Sequence, residues 1–141
     1  MKQHMKALYT TALAIVLMAT ACTDGNDWET FGPEVTTETL LEGEWTVSYY
    51  WLGDVDRTES FGTYGFDFEE TGNLYASEAL KTQSGYWNVS WKDEVSNLVI
   101  QFDENSPLGE LNKKWQILNR SDNSVFLEHD ASKAFLKIVR K

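Results

Sequence analysis

Histidine, cysteine and paired carboxylates are the residues with which this chain could do chemistry, and they are few. Apart from His4, the only histidine is His129, with Asp130 and Ser132 beside it. Nucleophilic catalysis needs a hydroxyl or thiol aligned with a base that a third group orients. Residues 129, 130 and 132 form a crowded local cluster instead, and His129 reads as a surface histidine. Asp54 with Asp56, and Asp103 with Glu104, offer oxygen ligands that would take calcium weakly. Solvated charge explains both pairs equally well. No phosphate-cradling glycine loop, zinc spacing or EF-hand pattern occurs in the sequence. No catalytic residue, metal or cofactor is therefore expected, and the chain is not read as an enzyme.

The one cysteine, Cys22, has a different chemistry, set by what precedes it. Lys2, His4 and Lys6 make a positive start, Ala7 to Ala19 an apolar run, and Ala19-Thr20-Ala21 a small-residue cleavage site. The apolar run falls short of the roughly 20 residues that span a bilayer, so residues 1–21 read as an export signal. A small-residue run ending in Cys resembles the lipobox of bacterial lipoproteins, with Ala19 where the usual Leu stands. The resemblance implies that the Cys22 thiol receives a diacylglyceryl group and becomes the mature N-terminus. Two or more acyl chains such as palmitate would then anchor the protein stably, where one chain binds only marginally. Residues 22–33, with Asp24, Asp27, Glu29, two glycines and a proline, read as an acidic tether. That stretch also resembles the acidic signal by which some bacteria send lipoproteins to the cell surface.

The net charge is −10. Loss of residues 1–21 removes two of 12 basic residues and none of 22 acidic ones, leaving ten against 22, or −12. Such a surface repels phosphates, which argues against nucleic acid as a partner.

The elements that would position any site lie in residues 34–141, read as one domain. Glu34 to Leu41 predicts one or two helical turns with Leu40 and Leu41 facing the domain. Alternation of apolar and polar side chains then predicts strands at about 44–52, 63–69, 73–77, around 87–91, 98–102, around 115–117, 125–129 and 133–140. Only the last is ambiguous in facing, because Phe135 and Val139 compete with Leu136 and Ile138. Eight strands joined mostly by short turns predict an all-β fold, an eight-stranded antiparallel up-and-down barrel that leaves no open edge, with a sandwich as the alternative. A transmembrane barrel is disfavoured, because Asp67, Glu69, Lys92 and Asp103 would face lipid.

Gly43-Glu44-Trp45 at the start of the first strand and Arg140 at the end of the last resemble the lipocalin-like domain of small bacterial lipoproteins. The resemblance implies that Trp45 closes one end of a barrel with Arg140 across its ring. It implies that a small apolar molecule sits inside, entering past Gly53 to Gly62 as rim or lid, although an ordinary solvated loop is the plainer reading. The chain departs from larger lipocalins in having Ser121-Asp122-Asn123 for their Thr-Asp-Tyr element, no cysteine pair and no helix after the last strand.

Taking the face of Trp45 as interior places Tyr49, Trp51, Tyr64, Phe66, Phe68, Trp87, Trp91, Phe102 and Trp115 inside with it. Of these, Tyr49, Trp51, Tyr64, Phe66, Trp87 and Trp91 are the candidate ligand-lining residues, with tyrosine hydroxyls to orient a ligand. The same aromatics could instead fill the barrel as a packed core. Two functions follow: a lipid-anchored envelope protein, in the outer membrane, that binds a small apolar or amphipathic molecule; or a filled barrel that serves as an interaction module for an envelope protein or a basic enzyme.

Overall fold

The computed structural model describes residues 33–141, so the leader, Cys22 and nearly all of the tether lie outside the described residues. Helix α1 (Pro33–Leu40) precedes strands β1 (Trp45–Leu52), β2 (Val55–Asp56), β3 (Gly65–Phe68), β4 (Asn73–Glu78), β5 (Lys81–Lys92), β6 (Val95–Gln101), β7 (Lys113–Arg120), β8 (Ser124–His129) and β9 (Ala134–Arg140), with a short helix α2 (Thr58–Phe61) after β2. The strands pair antiparallel in chain order, and β9 returns to pair with β1. The result is a closed eight-stranded barrel, with β2 a two-residue spur on β1. Closure satisfies both edges that a meander of this length would otherwise expose.

One end of the barrel is built on Trp45. The indole is fully buried, its N–H donates to the Leu40 carbonyl at 3.0 Å, and the Arg140 guanidinium lies over the ring at 5.2 Å. Register explains the stacking, since Trp45 and Arg140 are directly opposed across the closing seam. Gly43 is needed just before it. Its φ is +80°, and a Cβ there would stand 3.3 Å from the Arg140 Cδ. Arg140 also donates to the Thr39 carbonyl at 3.3 Å, which ties α1 across this end together with buried Leu40.

Two β-bulges decide which side chains enter the barrel. The β1 register against β9 shifts between Val47 and Tyr49, leaving Ser48 as an extra residue. An extra residue reverses the facing beyond it. Trp45 and Val47 point inward, and after the bulge Tyr50 does so, fully buried, while Tyr49 is 37% exposed. The strict alternation expected from Trp45 to Trp51 is thus corrected. A second bulge in β7, between Ile117 and Asn119, puts Arg120 opposite buried Val125, where it donates to the Thr39 hydroxyl at 2.8 Å. In β9 the ambiguity resolves in favour of Ala134, Leu136 and Ile138, which are buried.

Replacing Trp45 by Ala should cost about 3–5 kcal/mol of unfolding free energy in a denaturant titration, as for other large buried aromatics. Ser48→Ala should stay within about 0.5 kcal/mol. Deleting Ser48 should cost far less than deleting Thr46, because without the extra residue plain alternation still places Val47 and Tyr50 inward, whereas loss of Thr46 would put Ser48 in the inward place of Val47. A Ser48 deletion as costly as the Thr46 deletion would refute the role given to the bulge.

Candidate functional site at the barrel mouth

The end of the barrel opposite Trp45 is shut by two segments. Residues 53–62, the expected rim, fold over it and insert Phe61, which is buried and meets the Tyr50 ring edge-on at 5.3 Å. This segment takes the place of a continued β3, which opposes β1 only at Trp45 and Phe66. It satisfies the free edge of β1 itself: Arg57 N–H donates to the Tyr50 carbonyl at 2.8 Å, and Tyr50 N–H donates to the Thr58 hydroxyl at 2.9 Å. The second segment is a 3-10 turn, Pro107–Leu111, with Leu108 and Leu111 buried.

With both segments in place the barrel interior is packed with buried side chains among the described residues. A void of about 10 Å³ found inside, among the described residues, is lined only by apolar side chains, among them Val47, Phe66, Phe68, Ile100 and Leu136. That is at most the space of one water molecule, and an apolar void of this kind stays dry. The aromatic-lined internal pocket expected from the sequence is therefore replaced by a packed core. Phe66 and Trp87 belong to that core, and the Trp87 indole N–H is spent on the Glu69 carbonyl at 2.9 Å. Tyr49 and Trp51 do not line the interior, because the Ser48 bulge turns them outward. They join Phe126 and Phe135 in a row of rings on the outer wall, with centroids 6.1–6.4 Å apart. Trp91 shares the facing of Trp87, but it lies on the part of β5 that pairs with β6 alone, next to the Asp93-Glu94 turn, and it is 50% exposed.

The two closing segments are latched by ions. The Arg57 guanidinium grips the Glu110 carboxylate through two bonds, Nε to Oε1 at 3.0 Å and Nη2 to Oε2 at 2.8 Å. The Tyr50 hydroxyl donates to the same carboxylate at 3.5 Å, and the Lys113 ammonium donates to the Glu110 carbonyl. Burial pushes the Tyr50 phenol well above the ordinary tyrosine value, the Glu110 charge adds to the rise, and Arg57 opposes it. Burial lowers Lys113, with Glu110 opposing.

Beside the latch a cleft of about 580 Å³ opens to solvent, lined by Tyr64, Glu78, Ala79, Leu80, Lys81, Gln83 and Pro107. Its volume falls within the 300–1,000 Å³ range of small-molecule sites. On its floor the Ser106 hydroxyl donates to the Gln83 carbonyl oxygen, and the Tyr64 phenol lies beside Gln83 and the Glu78 carboxylate. Burial raises the Tyr64 pKa, the neighbouring Glu78 carboxylate adds to the rise, and Gln83 opposes it. The Tyr64 ring is rooted in the core between Phe61 at 6.5 Å and Phe66 at 6.2 Å. Of the expected ligand residues only Tyr64 reaches this cleft. The outer lip is a two-residue turn, Ala79-Leu80, with φ +52° at Ala79 and Leu80 fully exposed. Turns of this kind usually announce themselves by Gly or Asn, and neither is present.

The remaining polar candidates hold turns together. Asp56 accepts the Thr58 N–H and Asp103 the Asn105 N–H, each at 2.9 Å, so both carboxylates are engaged by neighbouring backbone. Among the described residues no group of three His, Cys, Asp or Glu side chains comes together to hold a metal. His129 Nδ1 and the Ser132 hydroxyl share a 2.7 Å hydrogen bond across a 3-10 turn, with the imidazole edge-on to Trp115 at 6.2 Å.

No family model and no curated protein matches the chain. Among solved structures, it is similar to a DUF4847 family protein from Bacteroides vulgatus, with a TM-score of 0.55 and 13% identity over 75% of this chain and 97% of that one. It is also similar to a lipocalin-like protein from Bacteroides uniformis, with a TM-score of 0.50 and 16% identity over 72% of this chain and 99% of that one. The fold is lipocalin-like. At such identities the likeness concerns the fold, and any ligand has to be argued from the lipocalin-like barrel in hand.

An acid whose pKa rises on folding holds its proton more tightly in the native state. The contribution of Tyr50 is therefore complete below its unfolded value of about 10 and is lost as pH climbs through the folded value. Lys113, with a lowered pKa, acts in the opposite sense as pH approaches about 10.4. Denaturant titrations from about pH 8 to 11 should show stability falling more steeply with pH in the parent than in Tyr50→Phe. Parallel pH profiles would refute the assignment.

Proposed function

We propose that this chain is a lipid-anchored envelope protein, attached through Cys22 at the outer membrane, whose lipocalin-like barrel binds a small amphipathic molecule at its mouth and catalyses no reaction. The observation that carries the reading is the contrast in space. A void of about 10 Å³ inside the barrel holds no ligand, whereas the cleft of about 580 Å³ at its rim has both an apolar wall and hydrogen-bonding groups. The anchor and address rest on the lipobox-like run before Cys22 and the export signal ahead of it. Among the described residues no helix is long and apolar enough to cross a membrane.

A second reading has its own observation. The row formed by Trp51, Tyr49, Phe126 and Phe135 presents aromatic surface on the outer wall of a filled barrel, and aromatic residues are over-represented where proteins bind one another. On an acidic chain such a surface fits a basic protein partner, whose association would weaken as salt rises.

Two measurements test the first reading. Metabolic labelling with an alkynyl palmitate analogue should tag the protein, and Cys22→Ser should abolish the tag. Native mass spectrometry of the chain from residue 22 onward, carrying Cys22→Ser and incubated with an envelope lipid extract, should show a small-mass adduct that Leu80→Asp removes. An adduct that survives Leu80→Asp would place the ligand elsewhere, and a protein-sized, salt-sensitive complex with no small adduct would favour the second reading.

A further inference from the structure

Glu78 and Lys81 face each other across the narrowest part of the β4–β5 hairpin. They are directly paired in register, with only Ala79 and Leu80 between them. Side chains so opposed start about 4.5–5.5 Å apart at Cβ. Opposite charges at that spacing would ordinarily be read as an ion pair, yet among the described residues neither enters one. Both line the cleft. The Glu78 carboxylate lies beside the Tyr64 phenol and, as an acceptor only, can take an ammonium. Lys81 brings three donors and no acceptor.

Apart from Gln83, the rest of the wall is mainly apolar. Leu80 projects fully exposed from a turn with a left-handed alanine, and Pro107 lines the same cleft from the segment that Glu110 latches to Arg57. Isolated exposed leucines are ordinary. This one lies on the rim of a cleft of about 580 Å³, beside two opposite charges that share no ion pair, and that combination sets a requirement on the occupant. A fatty-acid anion would satisfy Lys81 and leave its carboxylate against Glu78. A simple alkylammonium would satisfy Glu78 and meet Lys81.

We infer that the cleft selects a zwitterionic amphiphile: an ammonium group seated on Glu78, an anionic group a few bonds away seated on Lys81, and an apolar body laid along Leu80, Pro107 and the Tyr64 ring. This rests on the mouth-cleft reading above and narrows it to a charge class. The aminophospholipid head and the N-alkyl amino acid share this chemistry. The protein's acidic surface adds a preference of its own, since it disfavours ligands of net negative charge.

Three probes with the same twelve-carbon chain separate the charge requirement from the cleft itself: N-dodecyl-β-alanine, which is zwitterionic, dodecylammonium and laurate. Each is titrated below its critical micelle concentration into the chain from residue 22 onward carrying Cys22→Ser, which retains the complete barrel and core of residues 33–141. Calorimetry gives affinity, and amide shifts of residues 78–83 report the place. N-dodecyl-β-alanine should bind about tenfold more tightly than either singly charged probe, because it forms one more partly exposed ion pair and escapes one like-charge repulsion. Glu78→Gln should weaken the zwitterion and dodecylammonium while sparing laurate, and Lys81→Gln should weaken the zwitterion and laurate while sparing dodecylammonium. Equal binding of all three, unmoved by either charge variant but lost in Leu80→Asp, would overturn the zwitterion class and leave the mouth cleft standing. No binding of any probe, or binding indifferent to Leu80→Asp, would overturn both. Exposed Glu78 and Lys81 are changed to neutral residues of similar size, and thermal melts of the variants verify that the barrel is intact.

Discussion

The seam between β1 and β9, fastened by Trp45 beneath Arg140, is the constraint on which the rest of the structure depends. A meander of eight strands has two open edges until its first and last strands meet, and here they meet across nearly the whole domain sequence. Ordering such a long loop is costly in entropy, and the cost must be met by contacts made at the seam itself. Trp45 contributes a large buried ring, a satisfied indole N–H and a cation over its face in one place. Arg140 extends the same fastening to α1, so one residue pair closes the sheet and covers its end.

The seam also decides what fills the barrel. Pairing with β9 is what creates the bulge at Ser48, and the bulge is what sends Tyr50 inward. Tyr50 then receives Phe61 and Trp115 edge-on, holds residues 57–58 along its backbone, and reaches Glu110 with its hydroxyl. The mouth is thus closed from within by aromatic packing and from above by an ion latch. An eight-stranded barrel has an interior just wide enough to be filled or to hold one small ligand. This chain takes the first course, and a binding surface has to be found on the rim or the outer wall.

Rim and wall have different characters. On the rim, Ser106 and Gln83 are hydrogen-bonded beside the Tyr64 phenol and the Glu78 carboxylate, next to a lysine that shares no ion pair with that carboxylate. The outer wall carries a row of half-buried rings, with Lys137 paired between Tyr49 and Phe126. The rim offers a small concave site with a charge requirement, whereas the wall offers area. Lipocalin-like architecture accommodates either use, because fold alone does not specify function.

By itself the sequence determined the strand count, the up-and-down order and the α1 cover with Leu40 turned inward, while the meeting of Trp45 with Arg140 was implied by the lipocalin resemblance and fixed only by the register of β9. The strand count, order and cover follow from short-range signals: alternation with period two, turn residues and a short helical stretch ending in leucines. The interior was only half legible. Phe66, Phe68, Trp87, Phe102 and Trp115 face where alternation places them, while Tyr49 and Trp51 do not, and Trp91 lies past the end of the packed barrel. The candidate site was hardly legible at all, since Ala79-Leu80 carries no turn signal and Glu78, Lys81 and Gln83 resemble any solvated strand end. Tertiary structure decided these matters because a bulge is a relation between two strands. Whether Ser48 is one residue too many depends on the register of a partner about ninety positions away, and no pattern within β1 records it.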